Sequence, residues 1–177
     1  MKANDLIALA LEESSGYISR AMNGLSPADL AWRPKPHSNS IAFLMWHLTR
    51  GEDLWINRIL LGGKELYESD GWYKKFKTQP QDSGFGFDVA KLDSWPVPSL
   101  SLLKEYAAAV RAKTLVYLKS LTDAKMDEPR DFGWSKGTVG SALSHVVNEL
   151  AEHGGQIGYI KGIMKGIEPL PPPPPKK

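Results

Sequence analysis

The sequence predicts an all-α protein built as a four-helix bundle. Four segments place apolar residues at helical spacing, and each segment follows a capping residue or a helix breaker. Stretches rich in proline, glycine, aspartate and serine separate these segments, and no stretch alternates apolar and polar residues strongly enough to predict a sheet. Four helices of roughly 18 to 26 residues, joined by one long and two shorter connections, are typical of a helical bundle.

The first two helices have clear boundary signals. The first is predicted from residue 4 or 5 to residue 22, and Asn23-Gly24 ends it with residues that tolerate a left-handed backbone. The second is predicted over residues 41–61, after Ser40, whose side chain can cap exposed backbone amides. Two glycines follow it directly, so the chain is expected to turn there.

The last two helices also follow capping residues. The third is predicted to continue to residue 121 from Ser99, an N-cap that comes after a proline-rich connection. The fourth is predicted from about residue 138 to residue 163, and the connection before it contains a proline and two glycines. Turn signals therefore bound both helices.

The connection over residues 64–95 is unusually long and combines glycine and proline with aromatic residues: Trp72, Tyr73, Phe76, Phe85 and Phe87. So many aromatic side chains predict packing. Two interpretations stay open, a lid or wall of a functional site and a cover over the open end of the bundle. The proline-rich segment at the end cannot extend the last helix. We therefore divide the chain into one bundle domain, residues 1–168, and a tail, residues 169–177.

Composition excludes several classes of function. The chain has 22 basic and 20 acidic residues, and because they are interspersed, the net charge of +2 argues against nucleic-acid binding. Cysteine is absent, which excludes disulfides, zinc fingers, iron–sulfur clusters and a cysteine nucleophile. No apolar run has the length of a signal peptide or a membrane span, and His47, Arg50 and Glu52 interrupt the most apolar helix. These features predict a soluble, cytoplasmic protein.

A polar stripe runs beside the apolar stripe of the fourth helix. His145, Glu149 and His153 are four residues apart, so they lie along one helix face, and Gln156 falls in the same sector. A helix that is only solvated would place such side chains opposite its apolar residues. The polar stripe is therefore expected at the edge of the core.

His47 lies within the apolar face of the second helix. A buried imidazole needs polar partners, and the fourth helix offers a carboxylate and two imidazoles. His47, Glu149 and His153 together would supply two nitrogens and one oxygen, a donor set of catalytic zinc sites that leave one position open. Nickel, iron and manganese accept the same donors. Each residue alone has an ordinary structural explanation, and their combination predicts the metal site.

Three further polar residues are less informative. His145 is the catalytic candidate, and three roles stay open for it: a fourth ligand, a proton-transfer group at the mouth of the site, or a hydrogen-bonding partner of a ligand. Gln156 is expected to orient a ligand or to cap a buried polar group. His37 lies in a loop next to proline and receives no role.

Three stretches resemble the DinB/YfiT-like superfamily of metal-binding bundles: Trp32-Arg33-Pro34, residues 40–48 and residues 148–156. The resemblance implies an up-down-down-up four-helix bundle in which one His of the second helix and two residues of the last helix bind a divalent metal, commonly zinc or nickel. Many members carry two histidines on the last helix, whereas Glu149 occupies the first of those positions here. This departure resembles the mycothiol-dependent maleylpyruvate isomerase branch and implies His47, Glu149 and His153 as ligands.

Three functions stay open at this point. The first is a metal-dependent enzyme that activates a low-molecular-weight thiol, such as bacillithiol or mycothiol, for S-transfer or isomerisation. In that case the aromatic connection and Trp46 or Trp55 are expected to wall the substrate pocket. The second is a hydrolase that uses metal-bound water, and the third is a non-catalytic metal-binding bundle in stress response. The resemblance also implies a homodimer and a small-molecule substrate. Neither nucleic acid nor a membrane is expected as a partner, because the charges are balanced and no apolar run has the length of a membrane span.

Overall fold

The computed structural model describes residues 1–166, and its helices confirm the all-α prediction. The predicted tail over residues 169–177 lies outside the described residues, as do the last two residues of the predicted bundle domain. In chain order the elements are α1 Ala3–Met22, α2 Pro27–Ala31, α3 Ile41–Asp53, α4 Leu66–Ser69, α5 Trp72–Phe76, α6 Val89–Ser94, α7 Leu100–Lys119, α8 Asp123–Met126, β1 Pro129–Asp131, β2 Lys136–Thr138 and α9 Val139–Lys165.

Side-chain caps fix the starts of three of the four long helices where the sequence predicts them. Ser40, Ser99 and Thr138 each accept a hydrogen bond from the backbone amide three residues later. These bonds satisfy amides that have no partner inside the helix. The caps of α3, α7 and α9 are therefore local features that the sequence carries by itself.

The second predicted helix changes type partway along. Its α-helical part ends at Asp53, and a π-helical segment, Leu54–Leu60, continues it to a turn at Gly62, where φ is 68°. The prediction of one α-helix over residues 41–61 was right in extent and wrong in type for the last two turns. Trp55 and Asn57 are buried within this segment, and the Asn57 amide donates to Asp53 at 2.9 Å.

Among the described residues, seven short elements were missed: the helices α2, α4, α5, α6 and α8 and the two strands. Ser26 caps α2 and forms a capping box with Asp29, and Pro27 occupies the first helical position. Strands β1 and β2 pair antiparallel over three residues each, with Arg130 opposite Gly137. Strands this short show no detectable alternation of apolar and polar residues.

The four long helices pack around one hydrophobic core. α9 packs most extensively against α1 and also against α3, and α3 packs against α7. Gly154 permits the close approach of α9 to α1, because a Cβ there would lie 3.0 Å from the Ile18 side chain. Among residues 1–166, no helix combines the length and apolarity that crossing a membrane requires. The interface between α3 and α9 holds the predicted polar residues.

The long connection after α3 both covers the bundle and reaches the predicted site. Trp72 and Phe76 are buried against the core, whereas Phe85 is 88% exposed. Residues 82–84 lie against α3 close to His47. One part of the connection therefore covers the bundle, and another part lies beside the predicted site.

Candidate metal centre

Three side chains from two helices converge between α3 and α9. His47 comes from α3, and Glu149 and His153 come from successive turns of α9. Each offers one ligand atom, and these atoms lie within 4.8 Å of one another. The His153 Nε2 atom is 3.2 Å from a Glu149 carboxylate oxygen, and the two imidazole centroids are 5.1 Å apart. The three residues predicted as ligands are thus brought together.

Hydrogen bonds on the far side of each ring set which nitrogen carries the proton. His47 Nδ1 lies 2.5 Å from the backbone carbonyl oxygen of Ser83. Because a carbonyl only accepts, Nδ1 donates, and the lone pair of the neutral ring is on Nε2. His153 Nδ1 likewise lies 2.9 Å from the side-chain oxygen of Gln156. Metal-binding histidines are usually held in this way, by a hydrogen bond from the nitrogen that does not bind the metal.

Burial favours the neutral form of His47. Removal from water lowers its pKa below the usual 6.5, and the nearby His153 acts in the same direction. The hydrogen bond to Ser83 and the charge of Glu149 oppose this effect without reversing it. The imidazole is therefore neutral near pH 7, which is the form that binds a metal.

The donor set and its spacing fit a divalent transition metal. Bonds of about 2.1 Å at tetrahedral angles place ligand atoms about 3.4 Å apart. The measured 3.2 Å between His153 and Glu149 is close to that value, and the 4.8 Å limit leaves only a small closure for His47. Two imidazoles and one carboxylate suit zinc or nickel and leave a coordination position open.

His145 lies beside this group and outside it. Its Nε2 is 3.7 Å from the second carboxylate oxygen of Glu149, and its side chain is 46% exposed. Its ring packs 4.7 Å from that of Trp55, and Trp55 in turn packs edge-on against Trp134 at 5.5 Å. His145 is thus at the solvent-facing edge of the site, next to a carboxylate oxygen that does not face His153.

The two tryptophans named as alternatives for a pocket wall, Trp46 or Trp55, differ in position. Trp46 is fully buried and donates its indole N–H to the Tyr67 hydroxyl at 3.0 Å. Trp55 does contact His145. Trp134, which follows strand β1, is 64% exposed beside it, and sequence reasoning missed that residue.

Sequence reasoning also missed Ser83, because a backbone carbonyl has no side-chain signature. The glycines at positions 84 and 86 were the available signal, since glycine permits close approach of the backbone to another group. Gln156 was expected to orient a ligand, and its contact with His153 agrees with that expectation. His37 is exposed and lies outside the group of three.

Comparison with known proteins identifies relatives of the whole bundle. The sequence model described as the DinB superfamily matches residues 10–157. A crystal structure of a conserved protein from Enterococcus faecalis is similar at 25% sequence identity and a TM-score of 0.84. That similarity covers 94% of this chain and 99% of the Enterococcus faecalis chain. Comparison with curated proteins gave no match.

Proposed function

This chain belongs to the DinB superfamily, and from its three-residue centre we propose that it is a metal-dependent enzyme acting through a small thiol. It activates a low-molecular-weight thiol for S-transfer to, or isomerisation of, an electrophilic small molecule. The observation that carries this proposal is the open side of the site. Glu149 and His145 have side chains that are 27% and 46% exposed, whereas structural metal sites are closed by four protein ligands.

The proposed ligands are His47, Glu149 and His153, with zinc or nickel as the metal. Such a metal lowers the pKa of a thiol bound to it and so supplies thiolate at neutral pH. The chain contains no cysteine, so the sulfur nucleophile has to come from a small molecule. Ser83 and Gln156 hold the two imidazoles in the orientation that this role requires.

His145 is the group proposed to move the proton. It stands 3.7 Å from Glu149 and is half-exposed, so it can take the thiol proton and release it to water. In S-transfer, the sulfur then forms its bond to the electrophilic carbon, and the leaving group departs with the electron pair of the broken bond. Trp134, which is 64% exposed and packs edge-on against the buried Trp55, provides an apolar surface near His145 on which the substrate can pack.

A thiol-transfer assay tests this function. Zinc- or nickel-loaded protein is mixed with bacillithiol or mycothiol and with chlorodinitrobenzene as the electrophile, and product absorbance is followed. We expect turnover that requires both metal and thiol, and a kcat that is lowered about 100-fold in His145→Ala. His37→Ala, which changes an exposed histidine outside the site, is the matched control and should behave as wild type.

Two other results would contradict the proposal in different ways. Hydrolysis of ester or amide substrates without added thiol would indicate the hydrolase. If zinc raises thermal stability while thiol and hydrolase substrates both stay unreacted, the protein is a non-catalytic metal-binding bundle. The two alternatives therefore separate from the thiol enzyme in one set of assays.

A further inference from the structure

A short segment of the long connection, residues 78–84, ends directly on the ring of His47; we call it the strap. Its last residue, Gly84, has φ +88°, and a Cβ at that position would lie 2.9 Å from His47 Nδ1 and 2.8 Å from the Phe43 ring. Real Cβ atoms essentially never approach so closely. Only glycine therefore lets the strap come near enough for the Ser83 carbonyl to reach the imidazole.

Arg50 holds the strap against α3 through hydrogen bonds. It lies on α3 three residues after His47, and its side chain is only 3% exposed. Its Nε donates to the backbone oxygen of Asp82 at 2.9 Å, and one terminal nitrogen reaches the backbone oxygen of Pro80 at 3.5 Å. A guanidinium can hold two carbonyls at once because its donors form a rigid planar fork.

The guanidinium of Arg50 is itself held in place. Its other terminal nitrogen pairs with a Glu65 carboxylate oxygen at 2.5 Å and contacts the Tyr106 hydroxyl at 3.3 Å. The group also lies over the Tyr67 ring, 4.0 Å from the centroid. The Arg50 side chain therefore has little conformational freedom. The strap carbonyls that it binds are held in place as a result.

Side chains fix the strap at its two ends as well. At the start, the Thr78 hydroxyl is 2.5 Å from the Tyr67 hydroxyl. Towards the end, the Asp82 carboxylate accepts from the Gln79 amide at 3.0 Å and pairs with Lys91, also at 3.0 Å. These contacts hold the strap in one conformation. They therefore fix the position of the Ser83 carbonyl relative to α3.

We propose that the strap is a positioning element of the metal centre, held by Arg50 so that the Ser83 carbonyl sets the orientation and tautomer of His47. This inference rests on the proposed metal site. One helix then supplies both the ligand and, one turn later, the residue that positions it. Loss of the hydrogen bond that the far nitrogen of a ligating histidine donates lowers metal affinity by about 10- to 100-fold.

Two glycines of the same loop give a matched test. Gly84 and Gly86 both have positive φ, +88° and +71°, so Gly84→Ala and Gly86→Ala impose similar backbone strain. A Cβ at position 86 would meet nothing within 4 Å. We expect zinc affinity, measured by competition with a chromophoric chelator, to fall about 10- to 100-fold in Gly84→Ala and to change little in Gly86→Ala.

The tautomer of His47 is the second readout and needs no metal. Long-range proton–nitrogen NMR of the metal-free chain should show the Nδ1–H form in wild type and in Gly86→Ala, and a mixture of forms in Gly84→Ala. Arg50→Lys keeps a positive charge beside Glu65 but removes the planar guanidinium that binds two strap carbonyls. This variant should therefore also show a mixture of His47 tautomers. Circular dichroism checks that each variant keeps its helices.

The possible outcomes distinguish failure of the strap proposal from failure of the proposed metal function. If Gly84→Ala keeps wild-type affinity and the Nδ1–H form, or if Gly86→Ala loses affinity equally, the strap does not position His47. If wild-type protein binds no zinc, the proposed metal function fails, and the tautomers of the metal-free variants still decide the role of the strap.

Discussion

Replacing Asp53 with alanine should lower the free energy of unfolding by about 3–5 kcal/mol. Asp53 is fully buried at the end of α3, and its carboxylate accepts hydrogen bonds from four donors: the amides of Leu66 and Tyr67, the side chain of Asn57 and the hydroxyl of Tyr106. Alanine would leave these donors in the core without an acceptor, and each unsatisfied donor costs about 1–3 kcal/mol.

Urea unfolding followed by circular dichroism measures this loss. Asp53→Asn keeps the volume and one acceptor, so its loss should be smaller than that of Asp53→Ala. Asp127 is exposed, and Asp127→Ala should stay within about 0.5 kcal/mol of wild type. A loss below about 1 kcal/mol for Asp53→Ala would show that the buried network does not stabilise the fold.

Replacing His47 with alanine should reduce thiol-dependent turnover to the uncatalysed rate. Glu149 and His153, which remain, lie on successive turns of α9, and α3 then contributes no ligand to close the site. Zinc at 100 times its dissociation constant should stabilise the wild type by about 2.7 kcal/mol, and it should no longer raise the melting temperature of the variant. His37→Ala again serves as the control.

The contrary result is equally clear. If His47→Ala keeps wild-type turnover and is still stabilised by zinc, the convergence of α3 and α9 is not the reactive centre. If it keeps zinc stabilisation and loses turnover, His47 acts in the reaction and not as a required ligand. Thermal unfolding of the zinc-free variant shows whether the fold itself is affected.

Local signals account for the parts of the fold that the sequence predicted. Ser40, Ser99 and Thr138 mark helix starts because a cap needs only a side chain and an amide three residues away. The convergence of His47 with the α9 residues followed from helical spacing and from the need of a buried imidazole for partners. The first argument needs one helix alone, and the second needs only the side-chain pattern of each of two helices.

The features that were missed depend on contacts between distant parts of the chain. Arg50 and Glu52 interrupt an apolar helix in the sequence, yet both are buried in ion pairs. Glu52 pairs with Arg111, which is 59 residues away, and also accepts from Thr114. No helical period predicts such a partner. The Ser83 carbonyl is harder still to predict, because any residue carries a carbonyl and only the folded strap decides which one meets His47.

Elemental analysis of protein purified without chelator tests the metal centre most directly, with His47→Ala and His153→Ala measured beside the wild type. We predict one equivalent of a transition metal, zinc or nickel, in the wild type and none in either variant. Wild-type protein that contains no metal, even after incubation with zinc and nickel, would contradict this account. His47, Glu149 and His153 would then be a polar cluster between two helices, with the two rings held by Ser83 and Gln156.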